Sequence, residues 1–180
     1  MTTTARLPVP EITVVVPTHN RSDLLDLTLR SVVWQQDVEL EVIVVDDGSI
    51  DDTSEVVAAL SDPRIRLIRH DVPQGVSAAR NRGIAEARAE WIAFLDDDDL
   101  WAPDKLASQL RAVKNDTGNT WVYAGAVNVD GLTRVRGGAP PLPPDRFTEL
   151  LPRSNPMPGG CSNALMRTET LQRIGGFDTG

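Results

Sequence analysis

Acidic side chains in this 180-residue chain gather at two places where they could do chemistry. Asp46-Asp47-Gly48-Ser49 follows the apolar run Val42-Ile43-Val44-Val45, and Asp96-Asp97-Asp98-Asp99 follows Trp91-Ile92-Ala93-Phe94-Leu95. Two like charges ~4 Å apart repel by about 4 kcal/mol at an effective dielectric near 20. A divalent cation reverses the sign of that balance. Hard carboxylate oxygens suit Mg²⁺ or Mn²⁺, with water and phosphate oxygens filling the remaining positions. A third polar cluster, Pro17-Thr18-His19-Asn20-Arg21, follows Ile12-Thr13-Val14-Val15-Val16, and Arg21 and Arg80 are candidates to hold phosphate. The two histidines, His19 and His70, are too few for a zinc site. Each acidic run also has a plainer reading. Asp and Gly form turns, aspartate runs form solvated faces, and Asp99 could cap the helix that follows.

The elements that must position these residues alternate in type. Ile12–Val16, Leu40–Val45, Ile65–Ile68 and Trp91–Leu95 read as short strands, the first, second and fourth apolar enough to be covered on both faces. Between them, Ser22–Gln35, Asp51 or Asp52 to Leu60, and the Ala-rich Ser77–Ala89 read as helices. Asn20 or Ser22 is a candidate cap for the first. Pro103 fits the first turn of a further helix running to about Lys114, and Trp121–Val129 reads as a fifth strand. This order predicts an α/β fold with a mostly parallel sheet flanked by helices. Ligands then bind beyond the carboxyl ends of the strands, where all three polar clusters fall.

After about residue 130 the pattern changes. Gly137-Gly138-Ala139-Pro140-Pro141-Leu142-Pro143-Pro144 predicts an irregular surface loop or lid, because prolines fix the chain and remove donors. A short helix over Phe147–Leu151, a glycine-rich loop over Pro156–Gly160, a strand over Ser162–Met166 and a helix over Thr168–Ile174 follow. The whole reads as one domain of residues 1–180, with a nucleotide-binding half at 12–130 and an incomplete acceptor side at 131–180.

Composition narrows the classes. The 18 basic and 26 acidic residues give a net charge of −8, which speaks against nucleic acid as a partner. One cysteine, Cys161, excludes an internal disulfide framework and suits a reducing compartment. Met1–Pro10 lacks an apolar stretch for a secretory signal, and no run approaches the roughly 20 apolar residues of a transmembrane helix. The sequons at Asn20 and Asn115 are then read as chance. No G-x-G-x-x-G follows the first strand and no G-x-x-x-x-G-K-[ST] occurs, so neither a dinucleotide fold nor a P-loop is expected.

Five segments together resemble the family 2 inverting glycosyltransferases of the GT-A fold. They are Val15-Val16-Pro17-Thr18-His19-Asn20-Arg21, Val44-Val45-Asp46-Asp47-Gly48-Ser49 with Asp52-Thr53, Gly75-Val76-Ser77-Ala78-Ala79-Arg80-Asn81-Arg82-Gly83, Trp91 to Asp99 with Trp101, Pro103 and Leu106, and Ile174-Gly175-Gly176-Phe177-Asp178. The resemblance implies a nucleotide-diphosphate-sugar donor, with uracil the base by family habit and thymine or guanine left open, a divalent metal, Mn²⁺ or Mg²⁺, and a carbohydrate or lipid-linked acceptor. It implies that Pro17, Thr18 and His19 flank the base and that Asp47 accepts a hydrogen bond from it. Arg21 and Arg80 meet the diphosphate, Asp97 meets the ribose, and Asp98, with Asp96, holds the metal. Four consecutive aspartates leave that register open by one residue. Gly159 and Gly160, with Ser162 and Asn163, fall on the acceptor side, although the two glycines also suit an ordinary turn. The single cysteine and the missing signal segment predict a cytoplasmic protein, and lipid-linked acceptors in the family leave open a peripheral place at the inner face of the membrane.

Inverting transfer needs a base to deprotonate the acceptor and a Lewis acid for the departing diphosphate. In the family that base is a carboxylate shortly after the Gly-Gly-Phe-Asp element. Glu169 and Asp178 do not match it, so the expectation is a chain truncated before its base, which would lie beyond Gly180. The competing reading is a non-catalytic nucleotide-sugar-binding module. A phosphoacceptor receiver needs a late lysine, and none follows Lys114; a D-x-D-x-[TV] phosphatase fails at Leu100.

Overall fold

The computed structural model describes residues 9–115, 118–131 and 134–180. Most of Met1–Pro10, and the sequon residues Asp116 and Thr117, lie outside them. β1 (Ile12–Thr18), β2 (Leu40–Asp46), β3 (Ile65–Arg69) and β4 (Trp91–Phe94) pair in parallel. With β5 (Trp121–Tyr123) and β8 (Ala164–Arg167) they form one six-stranded sheet in the order β3-β2-β1-β4-β8-β5. β8 runs antiparallel to both its neighbours, so the sheet is mostly parallel, as expected.

Alternation along the strands divides the core in two. Val14 and Val16 of β1, with Val42 and Val44 of β2, face α1 (Ser22–Val33) and α4 (Lys105–Asn115), meeting Leu25, Leu29, Leu106 and Leu110. Val15, Ile43, Val45, Ile92 and Phe94 face α3 (Val76–Glu86) and α6 (Thr168–Ile174) through Ala79, Ile84 and Leu171. β1, β2 and β4 are buried along their whole length, which is why their sequences read as unbroken apolar runs. β3 is an edge strand and only half buried. α3 lies close on the sheet because position 83 has no side chain: a Cβ there would stand 2.3 Å from Val15 Cγ1.

Three expectations need correction. The stretch Trp121–Val129 is two strands, not one. β5 ends at Tyr123, and β6 (Ala126–Val129) leaves the main sheet to pair with β7 (Val135–Ala139) in a separate antiparallel ribbon. The segment Gly137–Pro144 is therefore not all irregular. Residues 137–139 belong to β7, and Pro144 opens α5 (Pro144–Leu150). Glycine is what admits this pairing, since a Cβ at Gly138 would meet Ala126 O at 2.6 Å. Only 140–143 remain as loop, tied back by Tyr123, whose hydroxyl donates to Leu142 O at 2.7 Å. Phe147 of α5 completes an aromatic group with Trp121 and Tyr123, centroids 5.2 and 4.9 Å away. The third correction concerns Asp99, which does not cap a helix. α4 begins only at Lys105, after a turn holding Pro103.

Candidate functional site

Because β1, β2 and β4 are parallel, their carboxyl ends come out on one edge of the sheet and bring the three polar clusters together. Between them and the start of α3 lies a cleft of about 510 Å³. Its walls include Pro17, Thr18, His19, Arg21, Asp47, Arg80, Asp96, Asp97 and Asp98, every residue that the sequence assigns to the donor or the metal. Val76 and Ala79 complete the lining, as small apolar surface from α3.

The acidic residues of the β2 end all have partners within the fold. Asp46 is fully buried; its carboxylate accepts from Ser49 N at 2.8 Å and from Arg69 at 2.7 Å. Asp51 serves two helices at once, accepting from Ser22 N at the start of α1 (2.9 Å) and from Thr53 Oγ1 at the start of α2 (Thr53–Ala59; 2.6 Å). The cap of α1 is thus Asp51, not the side chain of Asn20 or Ser22. Asn20 instead ties the β1 and β2 loops together: its N–H donates to Ser49 Oγ, and its Oδ1 accepts from Ile50 N.

Asp47 borders the cleft but has donors of its own. His70 Nδ1 lies 2.7 Å from Oδ1, Gln74 N lies 2.9 and 3.0 Å from the two oxygens, and Gly75 N lies 2.7 Å from Oδ2. Burial pushes this carboxyl up, but the bonds from His70, Gln74 and Gly75 together outweigh burial and hold it below the ordinary aspartate value. A donor from a nucleotide base would have to share oxygens with three groups already in place. His19 is oriented through the same residue. Its Nδ1 lies 2.7 Å from the carbonyl of Asp47, which can only accept, so Nδ1 carries the proton. Nε2 then accepts from Asn20 Nδ2 at 2.9 Å.

The β4 end is different, because its carboxylates meet two arginines and a few hydroxyl and amide groups. Arg80 donates to Asp96 at 2.6 Å, and Arg21 reaches Asp97 at 3.2 Å and Asp98 at 2.6 Å. Burial raises the Asp97 carboxyl above its ordinary value, offset in part by the Thr18 hydroxyl and Arg21. Its side chain is 10% exposed, against 46% for Asp98, so of this pair Asp98 is the carboxylate more open to a ligand. Among the described residues no three His, Cys, Asp or Glu side chains are grouped as a metal cage. The donor set fits a hard ion held by one or two carboxylates and completed by phosphate and water, as Mg²⁺ and Mn²⁺ sites on nucleotides are.

The Ala79-Arg80-Asn81-Arg82-Gly83 segment divides its work by position. Ala79 and Gly83 allow α3 onto the sheet, and Arg80 turns to Asp96 with its guanidinium 5.3 Å from the Phe177 ring centre. Asn81 pairs with the backbone of Phe177, donating to its O and accepting from its N, both at 2.8 Å. The late Gly-Gly-Phe-Asp element is thereby fixed beneath the site. Asp178, next in line, turns away to the chain end, where its Oδ1 accepts from Gly180 N at 3.0 Å. Neither Glu169 nor Asp178 is among the residues that line the donor cleft. The expectation that the base lies beyond Gly180 concerns residues outside this 180-residue sequence. Gly159 and Gly160, with φ of +67° and +58°, open the short 3₁₀ helix Gly160–Asn163, and Gly159 lines a second cleft that also includes Asp98. Sequence reasoning missed His70 as a partner of Asp47. The signal was its place just beyond the third strand, on the same edge as the acidic ends.

The mostly parallel sheet flanked by helices is the architecture of the GT-A glycosyltransferases. The chain belongs to glycosyl transferase family 2, whose model matches residues 13–175. It is 48% identical over 103 residues to the succinoglycan biosynthesis protein ExoO of Rhizobium meliloti (strain 1021), a match covering 57% of this chain and 30% of that protein. It is 30% identical over 105 residues to the UDP-Glc:alpha-D-GlcNAc-diphosphoundecaprenol beta-1,3-glucosyltransferase WfaP of Escherichia coli, covering 58% and 42%. Among solved structures it resembles the mannosyltransferase PcManGT of Pyrobaculum calidifontis in complex with GDP-Man and Mn²⁺. The TM-score is 0.67 and the identity 28%, over 94% of this chain and 48% of that one. The chain spans half or less of the length of these relatives. Among the described residues no helix is long and apolar enough to cross a membrane.

Proposed function

We propose that this chain carries the donor site of an inverting glycosyltransferase that moves a sugar from a UDP-sugar to an acceptor hydroxyl. The observation that carries this reading is the single cleft lined by all nine residues assigned to donor and metal. Residues 12–130 supply that donor half, and 131–180 contribute the acceptor side, with Gly159 and Gly160 at its edge.

In this reading Pro17, Thr18 and His19 flank the base of the nucleotide, and Asp47, held in place by the N–H groups of Gln74 and Gly75, accepts a hydrogen bond from it. Fixing His19 in one tautomer through Asp47 O gives that base a ring of set orientation. Asp97, largely buried and paired with Arg21, is placed to accept from a ribose hydroxyl. Arg21 and Arg80 stand beside Asp98 and Asp96, so they can turn from carboxylate to diphosphate without crossing the cleft. Asp98 with Asp96 would hold Mn²⁺ or Mg²⁺, which when bound supplies Lewis-acid stabilisation of the diphosphate leaving group. The E. coli relative's name gives UDP-Glc and a diphosphoundecaprenol acceptor, which supports a UDP donor and a lipid-linked acceptor. The Pyrobaculum complex supports the metal.

Calorimetric titration of UDP and GDP into the chain, with and without Mn²⁺, tests the reading. UDP should bind only with metal, and Asp98→Ala should abolish that binding without lowering Tm. Tight UDP binding by Asp98→Ala with Mn²⁺ present would remove Asp98 from the metal site. Absence of any nucleotide binding by the wild type would refute the donor site.

A further inference from the structure

The acidic turn at the end of β4 is closed by Asp99 N, which donates to Asp96 O at 3.1 Å. Two buried hydroxyls from distant parts of the chain hold this turn. Thr28 of α1, 1% exposed, shares its hydroxyl hydrogen between Asp97 O at 2.9 Å and Asp99 O at 3.0 Å. Ser162 of the 3₁₀ helix, 3% exposed, accepts from Asp96 N through its Oγ at 3.1 Å. The carbonyl of Ser162 also accepts from the Trp101 indole at 2.7 Å, which anchors the loop just past the turn. Ser162, expected on the acceptor side, thus reaches the β4 end as well.

Both hydroxyls take main-chain atoms of the turn and leave its carboxylates to other partners. The β2 end is the contrast, because there the carboxylate oxygens of Asp46, Asp47 and Asp51 are themselves bound. The side chains of Asp96 and Asp98 stay 35% and 46% exposed, and both line the donor cleft. Four consecutive carboxylates repel one another, so an untied turn relieves that repulsion by opening. Opening would change the spacing of Asp96 and Asp98. A hard cation needs its oxygens at short, fixed distances. Whatever ties the main chain at 96, 97 and 99 therefore sets the spacing of the two carboxylates that such an ion would meet.

We propose that Thr28 and Ser162 are positioning residues for the divalent cation, acting through the backbone of the Asp96–Asp99 turn. The assignment rests on the reading of Asp98 and Asp96 as the metal carboxylates. One tie comes from the donor half and the other from residues 131–180, so both halves of the chain shape the metal site. Groups that orient a metal's ligands typically contribute about 10–100-fold to its affinity.

The test measures nucleotide binding by calorimetry over a series of Mn²⁺ concentrations, with whichever of UDP or GDP the wild type binds. Thr28→Val and Ser162→Ala should each raise the Mn²⁺ concentration for half-maximal binding by ~10-fold. Nucleotide affinity at saturating Mn²⁺ should stay unchanged. Thr28→Ser, which keeps the hydroxyl, should restore the wild-type midpoint. Thr168→Val is the matched control for stability. Thr168 is 7% exposed and donates to Ala89 O at 2.8 Å, before the start of β4 and outside the donor cleft. It should lower Tm and leave the Mn²⁺ midpoint in place. A wild-type midpoint in Thr28→Val or in Ser162→Ala would overturn the proposal. So would a midpoint shifted as far by Thr168→Val, which would make the effect one of stability alone. Should Thr28→Val fail to fold, Ser162→Ala carries the test. Wild-type binding that ignores Mn²⁺, or no nucleotide binding at all, overturns the reading of the donor site itself, a separate outcome.

Discussion

Single residues in this site do one of two things, and the distinction decides what each substitution should do. Asp98 is half exposed and pairs with Arg21, itself half exposed, so its loss should change ligand binding and little else. Asp47 is the opposite case, because three donors point at its carboxylate. Asp47→Asn would turn an amide N–H toward those donors and should cost about 1–3 kcal/mol at neutral pH, read from urea melts. The folded-state value of Asp47 is held below the ordinary one. Its stabilisation is therefore present above the ordinary aspartate range and is lost as pH falls through the folded value. The gap between wild type and Asp47→Asn should accordingly shrink below about pH 4, and a gap constant from pH 7 to pH 3 would contradict this account. Residue types and strand-end positions were enough to find the members of the cleft. They could not reveal that Asp46, Asp47 and Asp51 are already engaged, because the donors, Arg69, Gly75 and Ser22 among them, come from other parts of the chain.

At the scale of elements, α3 carries the most. It meets β1 without a side chain at position 83, sends Arg80 to Asp96, and grips the Phe177 backbone through Asn81. Gly83→Ala should force helix and sheet apart, costing about 1–3 kcal/mol or more in chemical denaturation and weakening nucleotide binding through Arg80. Asn81→Ala should leave the core packed but free the turn after α6, so limited proteolysis should cut near residues 175–178 faster than in wild type. The elements as far as α4 were legible because each strand is a short apolar run and each helix shows an amphipathic or small-residue face. The β6–β7 ribbon was not. Its residues are mostly exposed, so no alternation marks them, and β7 holds two glycines just before a run of prolines. Pairing there depends on close backbone approach, which composition conceals.

For the whole molecule, the sequence conveyed a mostly parallel sheet with its polar ends gathered on one edge, but not the order of the strands. β8 lies between β4 and β5, although some 40 residues separate β5 from it in the chain. That placement has a consequence for synthesis, which proceeds from the amino terminus. When β5 leaves the ribosome it has no partner in the main sheet, and the edge of β4 stays bare until residues 164–167 arrive to bridge the two. An uncovered strand edge of this apolar character invites pairing with another chain. A chain stopped after residue 160 should therefore aggregate on expression, whereas one stopped after 175 should stay soluble, as centrifugation of the two lysates would reveal. The antiparallel strand is a late keystone: nascent molecules must wait for it before they can close.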